Sequence, residues 1–274
     1  MSAELTRPGR SGTDSTSAPP PAFRVTDAVV SYNGSPAVRG VSFDVNVGET
    51  LAILGPNGSG KSTLMRAMLG VLPLTRGRIE THGVPLRRFR DWGRIGYVPQ
   101  RLSAGGGVPA TVREIVTSGQ VSRRRRHRWA TSQDNAAVDD ALAAVGLADR
   151  ARDSVHELSG GQQQRVLIAR ALAGPADTFI MDEPMSGIDN ENQRALADVI
   201  ARLGDNGATV ILVLHEAGPL RPLLRRSLVL ANGQIAHDGP PNGVHGDEHD
   251  HVHPHAEDTP SMPAVPSIEV PRRA

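Results

Sequence analysis

The sequence predicts an α/β fold in which a parallel sheet is covered by helices on both faces. Short apolar runs at Thr50–Leu54, 178–181 and 209–214 have the length of buried strands. Segments with a helical spacing of apolar residues, at 61–69 and 193–203, lie between them. Alternating strands and helices form parallel sheets, because the chain must cross over a face of the sheet to add a parallel neighbour.

The remaining segments complete this architecture in chain order. Apolar and polar residues alternate in Phe23–Tyr32 and 41–45, as they do in antiparallel strands with one buried face. Ile95–Val98 and 227–230 are predicted to be further short strands. Between 111 and 152 the spacing is helical and no strand-like run occurs, which predicts an inserted helical subdomain.

Composition divides the chain into a folded region and two tails. The N-terminal segment is rich in Ser, Thr and Pro, and the C-terminal segment is rich in Pro, Gly, His and acidic residues. Segments with so little apolar surface stay disordered. We therefore expect a disordered tail at 1–22, a folded domain at 23–240 with its helical subdomain at about 101–157, and a disordered His-rich tail at 241–274.

Charge and composition exclude several classes of protein. The net charge of +1 creates no overall field that would attract nucleic acid or a membrane. The absence of cysteine excludes disulfides, iron–sulfur clusters and cysteine-based zinc sites, and it agrees with a reducing cytosol. The N-terminus has no apolar core of a signal peptide, and no apolar run approaches the ~20 residues that span a bilayer. Any action on a membrane is therefore expected to need a partner.

Of the 30 basic residues, one is a lysine, and it lies inside a glycine-rich loop. The spacing G-x-x-x-x-G-K-S predicts a phosphate-binding loop, in which backbone N–H groups and the lysine hold the phosphates of a nucleotide. An ammonium is a compact charge that fits a tight loop, whereas a guanidinium is a broad planar fork. The predicted nucleotide-binding residues are Gly55, Pro56, Asn57, Gly58, Ser59, Gly60, Lys61, Ser62 and Thr63.

Two adjacent carboxylates, Asp182 and Glu183, end a predicted buried strand. Because strand side chains alternate between faces, we expect the two carboxylates to have different tasks. One would approach a magnesium ion, for which Ser62 supplies a second protein oxygen. Its neighbour would reach toward the γ-phosphate.

The string LSGGQQQR at 158–165 predicts a second anion site. Ser159 is a plausible N-cap, and the glycines after it leave the backbone N–H groups of a helix N-terminus accessible. The chain already has one phosphate loop for one nucleotide. A second anion-binding helix start therefore indicates a nucleotide presented by another subunit, bound by Ser159, Gly160, Gly161 and Gln162.

Together these motifs resemble the ATP-binding subunit of ABC transporters. The phosphate loop, Gln100, LSGGQ, the acidic strand end and His215 follow one another in the order of that family, over about 23–240. The resemblance implies a P-loop NTPase (RecA-like) core with an antiparallel β subdomain and an inserted α-helical subdomain. It also implies ATP and Mg²⁺ as ligands and a head-to-tail homodimer. Each ATP would lie between the loop of one copy and the LSGGQ helix of the other, and Asp189 would link the two sites.

The resemblance implies roles for individual residues of the site. Tyr32 would stack on the adenine, and Gln100 would contact Mg²⁺ or the attacking water and sense the membrane partner. Asp182 would hold Mg²⁺. Glu183 would be the general base that activates water, and His215 would bind the γ-phosphate by a hydrogen bond. Lys61 completes this catalytic set.

Two features favour a divalent metal ion as cargo, with zinc expected and manganese, iron or another substrate as alternatives. Residues 97–101 and 108–116 resemble the zinc and manganese uptake branch of the family. Neutral imidazole suits zinc, and five histidines lie among acidic residues in the tail: His245, His249, His251, His253 and His255. Without cysteine or a surrounding fold this is not a closed structural zinc site. The tail either senses cytosolic zinc and restrains uptake, or it binds metal incidentally.

The resemblance also implies partners and a location. We expect two copies of the chain at the cytoplasmic face of the membrane, on a two-subunit permease, with an extracytoplasmic metal-binding protein. Scarce aromatic residues argue against nucleic-acid binding. The basic cluster at 123–128 either contacts anionic lipid or an acidic loop of the permease, or is a solvated helix face. A soluble ATPase of DNA repair or translation and a histidine-tail metal-binding module are the competing hypotheses.

Overall fold

The part of the chain that the structure describes contains two β-sheets and five α-helices. The computed structural model describes residues 19–32, 34–101, 110–121 and 131–241, without the side chain of residue 191. All elements named below belong to one unit, Met1–Gly243. The second unit, Val244–Ala274, lies outside the described residues.

The first sheet is antiparallel, with the strand order β2-β1-β4-β5. Its strands are β1 (Phe23–Tyr32), β2 (Ser35–Val45), β4 (Arg76–Thr81) and β5 (Val84–Pro85). Alternate residues of β1, including Phe23 and Val25, are buried, which is the pattern of a sheet with one face on the core. Ala22, at the end of the expected N-terminal tail, is also buried, and its carbonyl accepts the His82 N–H.

The second sheet has the strand order β10-β9-β3-β8-β7-β6. Its strands are β3 (Thr50–Leu54), β6 (Ile95–Val98), β7 (Thr178–Asp182), β8 (Thr209–Val213), β9 (Arg226–Ala231) and β10 (Gln234–Gly239). The pairings that join β6, β7, β8, β3 and β9 are parallel, and β10 pairs antiparallel with β9. Because the central strands are parallel, the segments that follow β3, β6, β7 and β8 all leave from one edge of the sheet.

Helices cover both faces of this second sheet, and β3 divides the core between them. Leu51 and Ile53 pack with the first sheet and with α1 (Lys61–Met68). Ala52 and Leu54 point to the other face. There they pack with α2 (Val112–Ser118), α3 (Ser132–Ala144), α4 (Gly160–Leu172) and α5 (Asn190–Asp205). The predicted α/β class and the doubly covered sheet are confirmed.

Three strands were not predicted, and polar composition explains why. Strand β10 is an edge strand with no buried residue, and β4 has one apolar residue, Ile79, among its six. Strand β5 is two residues long. Strand β10 adds one antiparallel edge strand to the predicted parallel sheet. Within the described ranges, no helix is long and apolar enough to cross a bilayer.

Candidate functional site

The glycine-rich loop between β3 and α1 is held so tightly that two of its positions require glycine. Gly55 has φ 145°, and a Cβ there would lie 2.2 Å from the Leu230 carbonyl oxygen. Gly60 has φ 102°, and a Cβ there would lie 2.6 Å from the Ala37 carbonyl oxygen. Both backbone conformations are ones that residues with a Cβ avoid. Neighbouring strands therefore fix the loop on two sides.

Lys61 opens α1 and turns its side chain back onto the loop. It is 5% exposed, and its Nζ donates hydrogen bonds to the carbonyl oxygens of Gly55 at 2.6 Å and Pro56 at 3.0 Å. Burial lowers the pKa of the Lys61 ammonium, and the nearby carboxylates of Glu183 and Asp182 oppose that shift. The charge is thus held in a confined position at a helix N-terminus, where backbone N–H groups also favour anions.

A cavity of about 290 Å³ lies against this loop. The Ser59 side chain beside it is buried, and its hydroxyl has no hydrogen-bond partner among the described residues. A loop of backbone N–H groups, one ammonium and hydroxyls is a chemical match for phosphate oxygens. The residues around the cavity are Ala37, Asn57, Gly58, Ser59, Gly60, Lys61, Ser62, Thr63 and Glu183.

Asp182 and Glu183 are separated by a sharp change of backbone direction. Asp182 ends β7, whereas Glu183 lies beyond the strand with φ 45°, and its N–H donates to the Val213 carbonyl oxygen at 2.8 Å. The alternation of side chains along a strand, expected from the sequence, is therefore not what separates the pair. Burial, and then the charge of Glu183, raise the pKa of Asp182.

Glu183 faces the cavity and contacts Gln100. The Gln100 Nε2 donates to the Glu183 Oε2 at 2.5 Å and to the Ser186 hydroxyl at 3.4 Å. The contact follows from the parallel pairing of β6 with β7, in which Val98 lies opposite Met181. The structure thus brings the loop, Gln100, Asp182 and Glu183 to one edge of the sheet, as predicted.

Ser159 caps α4, as the sequence predicts. Its hydroxyl accepts the Gln162 N–H at 3.3 Å, and the Gln162 Oε1 accepts the Ser159 N–H at 2.9 Å. Gly161 packs against Ile188 and Asn192, whose atoms lie 3.3–3.5 Å from the position of a Cβ. Among the described residues around the loop cavity, none belongs to 159–162. One chain therefore has the loop and the α4 N-terminus at different places.

Tyr32 and His215 lie outside the cavity lining. Tyr32 ends β1 and is 45% exposed. His215 follows β8, is about half exposed, and has its Nδ1 3.8 Å from the Glu216 carboxylate. Asp189 is the N-cap of α5, and its side chain accepts the Asn192 N–H at 3.0 Å. These three residues have the exposure or placement of groups that contact something outside the chain.

Sequence reasoning missed three residues of the site. Ala37 comes from the β1–β2 hairpin, which no motif connects with the loop. Ser186 accepts from Gln100. Gln164, buried on α4, donates to the Pro99 carbonyl oxygen at 3.4 Å and so joins α4 to the segment of Gln100. Its position inside LSGGQQQR was the only signal that could have identified it.

Two predicted features lie outside the described residues: the five tail histidines and the basic cluster at 123–128. Within the ranges that the structure does describe, no group of three or more His, Asp or Glu side chains is arranged to hold a metal ion.

Known proteins similar to this chain are ATP-binding subunits of metal transport systems. Residues 38–186 match the ABC transporter family. The zinc uptake system ATP-binding protein ZurA of Listeria innocua is 37% identical over 219 residues, which are 79% of this chain and 85% of that protein. The manganese transport system ATP-binding protein MntB of Bacillus subtilis is 38% identical over 190 residues, which are 69% of this chain and 75% of that protein.

Solved structures share the fold over a similar span. The structure of cbiO1 from Clostridium perfringens, part of the ABC transporter complex cbiONQ, superposes with a TM-score of 0.73 at 27% identity and covers 82% of this chain and 90% of that chain. The dimeric structure of MJ0796, a bacterial ABC transporter cassette, has a TM-score of 0.69 at 25% identity and covers 80% of this chain and 98% of that chain.

Proposed function

The chain belongs to the ABC transporter family. On this basis we propose that it is the ATP-hydrolysing subunit of an importer for a divalent metal ion. Zinc is the first candidate for the transported metal and manganese the second. One observation carries the ATPase part. The buried ammonium of Lys61 and the carboxylate of Glu183 face one cavity whose walls are loop amides and hydroxyls. The metal part is supported by relatives named for zinc and manganese transport.

The loop binds and orients the triphosphate. Loop amides and the α1 N-terminus hold phosphate oxygens, and Lys61 exchanges its bonds to loop carbonyls for bonds to the β- and γ-phosphates. Tyr32, exposed at the end of its strand, stacks on the adenine, a contact that contributes about 1–3 kcal/mol in aromatic–base pairs generally.

The residues at this edge fit a magnesium ion. Asp182 is a partly buried carboxylate beside a second carboxylate, and Ser62 and Gln100 add oxygen ligands. Hard cations prefer such oxygen donors. When bound, Mg²⁺ would neutralise charge on the phosphates.

Glu183 is the proposed general base. Its carboxylate faces the cavity, and the bond from the Gln100 Nε2 fixes the orientation of one carboxylate oxygen. The free lone pairs accept a proton from a water that attacks the γ-phosphate in line. His215 follows β8 at the same edge of the sheet and would donate a hydrogen bond to that phosphate.

The complete site needs two chains. Ser159, Gly160, Gly161 and Gln162 form a helix N-terminus apart from the loop cavity of their own chain, so they would close the ATP held by a second copy. Asp189 lies beside that helix and would contact the partner. Two such chains would act on a permease, at the cytoplasmic face of the membrane, with an extracytoplasmic binding protein delivering the metal.

The cargo is tested in cells. Deletion of the gene should abolish high-affinity uptake of radiolabelled zinc, restored by the wild-type gene and not by Glu183→Gln. Loss of manganese uptake alone would assign the cargo to manganese, which the 38% identity to MntB favours as the second candidate. Unchanged uptake of both metals would refute a metal importer.

The His-rich tail is proposed to sense cytosolic zinc. This proposal rests on the sequence alone, in which five histidines lie close to acidic residues after residue 244. Truncation at residue 240 should leave ATP hydrolysis intact and remove the inhibition of uptake by excess zinc. An unchanged zinc response in the truncated protein would contradict the proposal.

A further inference from the structure

The side chain of Asn192, on the first turn of α5, joins two parts of the molecule that the proposed dimer uses. One is Asp189, the N-cap of α5. The other is α4, whose N-terminus carries Ser159. Asn192 Nδ2 donates to the Asp189 Oδ2 at 2.6 Å, and the Asn192 backbone N–H donates to the Oδ1 at 3.0 Å. Asn192 thus donates a hydrogen bond to each carboxylate oxygen of Asp189.

The other end of the Asn192 amide contacts α4. Its Oδ1 accepts from the Arg165 Nη2 at 3.1 Å. The amide can face only one way, because a flipped amide would set N–H groups against the guanidinium and oxygen against the carboxylate. Gly161, also on α4, packs against Asn192, since a Cβ on Gly161 would lie 3.4 Å from the Asn192 Cβ.

Arg165 extends this chain of bonds into the helical region. Its Nη1 donates to the Val145 carbonyl oxygen, just beyond α3, at 3.1 Å. Its Nε is buried and has no hydrogen-bond partner among the described residues. The guanidinium thus bonds both to the residue that follows α3 and to the first turn of α5. A shift of α3 relative to α5 would therefore strain its bond to Asn192.

We propose that Asn192 is a positioning residue that sets the orientation of the Asp189 carboxylate and, through Arg165, couples it to the helix that carries Ser159. The inference rests on the proposed function, in which Asp189 and Ser159 both contact the second copy. Movement of α3 and α4 on closure of the dimer would then reorient Asp189 at the same moment.

The substitution Asn192→Asp separates this role from a structural one. Aspartate has the shape of asparagine and keeps an oxygen for Arg165, but it sets a second carboxylate against Asp189. At the third position of a helix an acidic side chain interacts favourably with the helix dipole. This interaction offsets the repulsion between the two carboxylates, so the thermal stability of the variant should stay close to that of the parent. The Nδ2 bond to the Asp189 Oδ2 is lost, while the backbone N–H bond to the Oδ1 remains.

The experiment uses the full chain in the Glu183→Gln background, with ATP-dependent dimerisation measured by light scattering. We expect Asn192→Asp to need about tenfold more protein for half-dimerisation, the scale of one lost hydrogen bond to a charged group. Binding of an ATP analogue to the monomer should not change. Asp198→Asn, an exposed change on the same helix, is the matched control and should behave as the parent.

Two results would overturn the inference. One is an Asn192→Asp protein that reaches half-dimerisation in ATP at the same protein concentration as its Glu183→Gln parent. The other is strict additivity of Arg165→Lys and Asn192→Ala in the dimerisation constant, because residues that act through each other couple in a double-mutant cycle. If the Glu183→Gln parent itself stays monomeric in ATP, the proposed dimer is wrong and the inference falls with it.

Discussion

Replacement of Lys61 by arginine should be nearly as damaging as removal of the charge. The Lys61 Nζ lies within 3.0 Å of two loop carbonyl oxygens, and the side chain is 5% exposed. The larger planar guanidinium must displace these carbonyls. The loop cannot move away, because Gly55 and Gly60 already face the carbonyl oxygens of Leu230 and Ala37.

The expected magnitude follows from this lack of space. Forcing extra volume into a packed site costs typically about 1–3 kcal/mol. This cost lowers nucleotide affinity if it arises when the phosphates fill the loop and leave the guanidinium no room. Since 1.4 kcal/mol is a factor of ten, affinity should then fall by roughly 5- to 150-fold from packing alone. Loss of the compact charge at the phosphates should lower kcat further.

Lys61→Met is the comparator, because methionine has a similar length and no charge. Steady-state ATP hydrolysis and binding of a fluorescent ATP analogue should place Lys61→Arg much closer to Lys61→Met than to the wild type. Thermal unfolding shows whether each variant is folded. If Lys61→Arg keeps more than about half of the wild-type rate while Lys61→Met loses activity, charge alone is sufficient and the geometric reasoning is refuted.

Three further predictions concern groups around the same cavity. Glu183→Gln should lower kcat by about 10²–10⁴-fold, the usual contribution of a general base, and accumulate a dimer in ATP on size-exclusion chromatography; a monomer with normal turnover would contradict this. Asp182→Asn should raise the Tm of the protein without nucleotide at pH 7. Burial and the charge of Glu183 raise the pKa of Asp182 in the folded protein. The stability that protonated Asp182 contributes is therefore fully present below the ordinary pKa of about 3.9, and it is lost as the pH rises through the raised pKa of the folded state. The gain in Tm should therefore shrink as the pH falls toward 4, and a gain independent of pH would refute the cause. Gly60→Ala should lose more free energy of unfolding in urea than Gly58→Ala, because both have positive φ but a Cβ meets protein atoms only at Gly60; equal losses would show that the contact is relieved.

The sequence predicts the buried half of the fold better than its edges. Strands β3 and β7 are continuous apolar runs between signals that end a strand, so their bounds follow from composition. Strand β10 has one large apolar residue, Ile235, and no buried residue, and it forms because it pairs with β9. That pairing depends on the tertiary structure. Local β-propensity therefore does not predict this strand.

In the site, too, some features can be predicted from the sequence and others depend on the tertiary structure. Motif spacing identifies the loop and the Glu183 segment, because phosphate binding dictates residue types at fixed intervals. The contact between Gln100 and Glu183 depends on β6 being the neighbour of β7, which spacing does not encode. Asn192 is hidden for another reason. An asparagine near the start of a helix usually takes part in capping. Only its contact with Arg165, which the sequence does not show, distinguishes Asn192 from such a residue.

The segment from Glu183 to Asp189 would couple the two ATP sites of the proposed dimer. Glu183 faces the loop cavity of its own chain. Six residues later, Asp189 is held by Asn192, which packs on Gly161 of α4. In the proposed dimer, a change of position at Glu183 would therefore be transmitted through one short loop to the helix that closes the other ATP. Gln100 also contacts Glu183, and Gln164 of α4 donates to the Pro99 carbonyl oxygen, so a second path of hydrogen bonds connects Glu183 with α4.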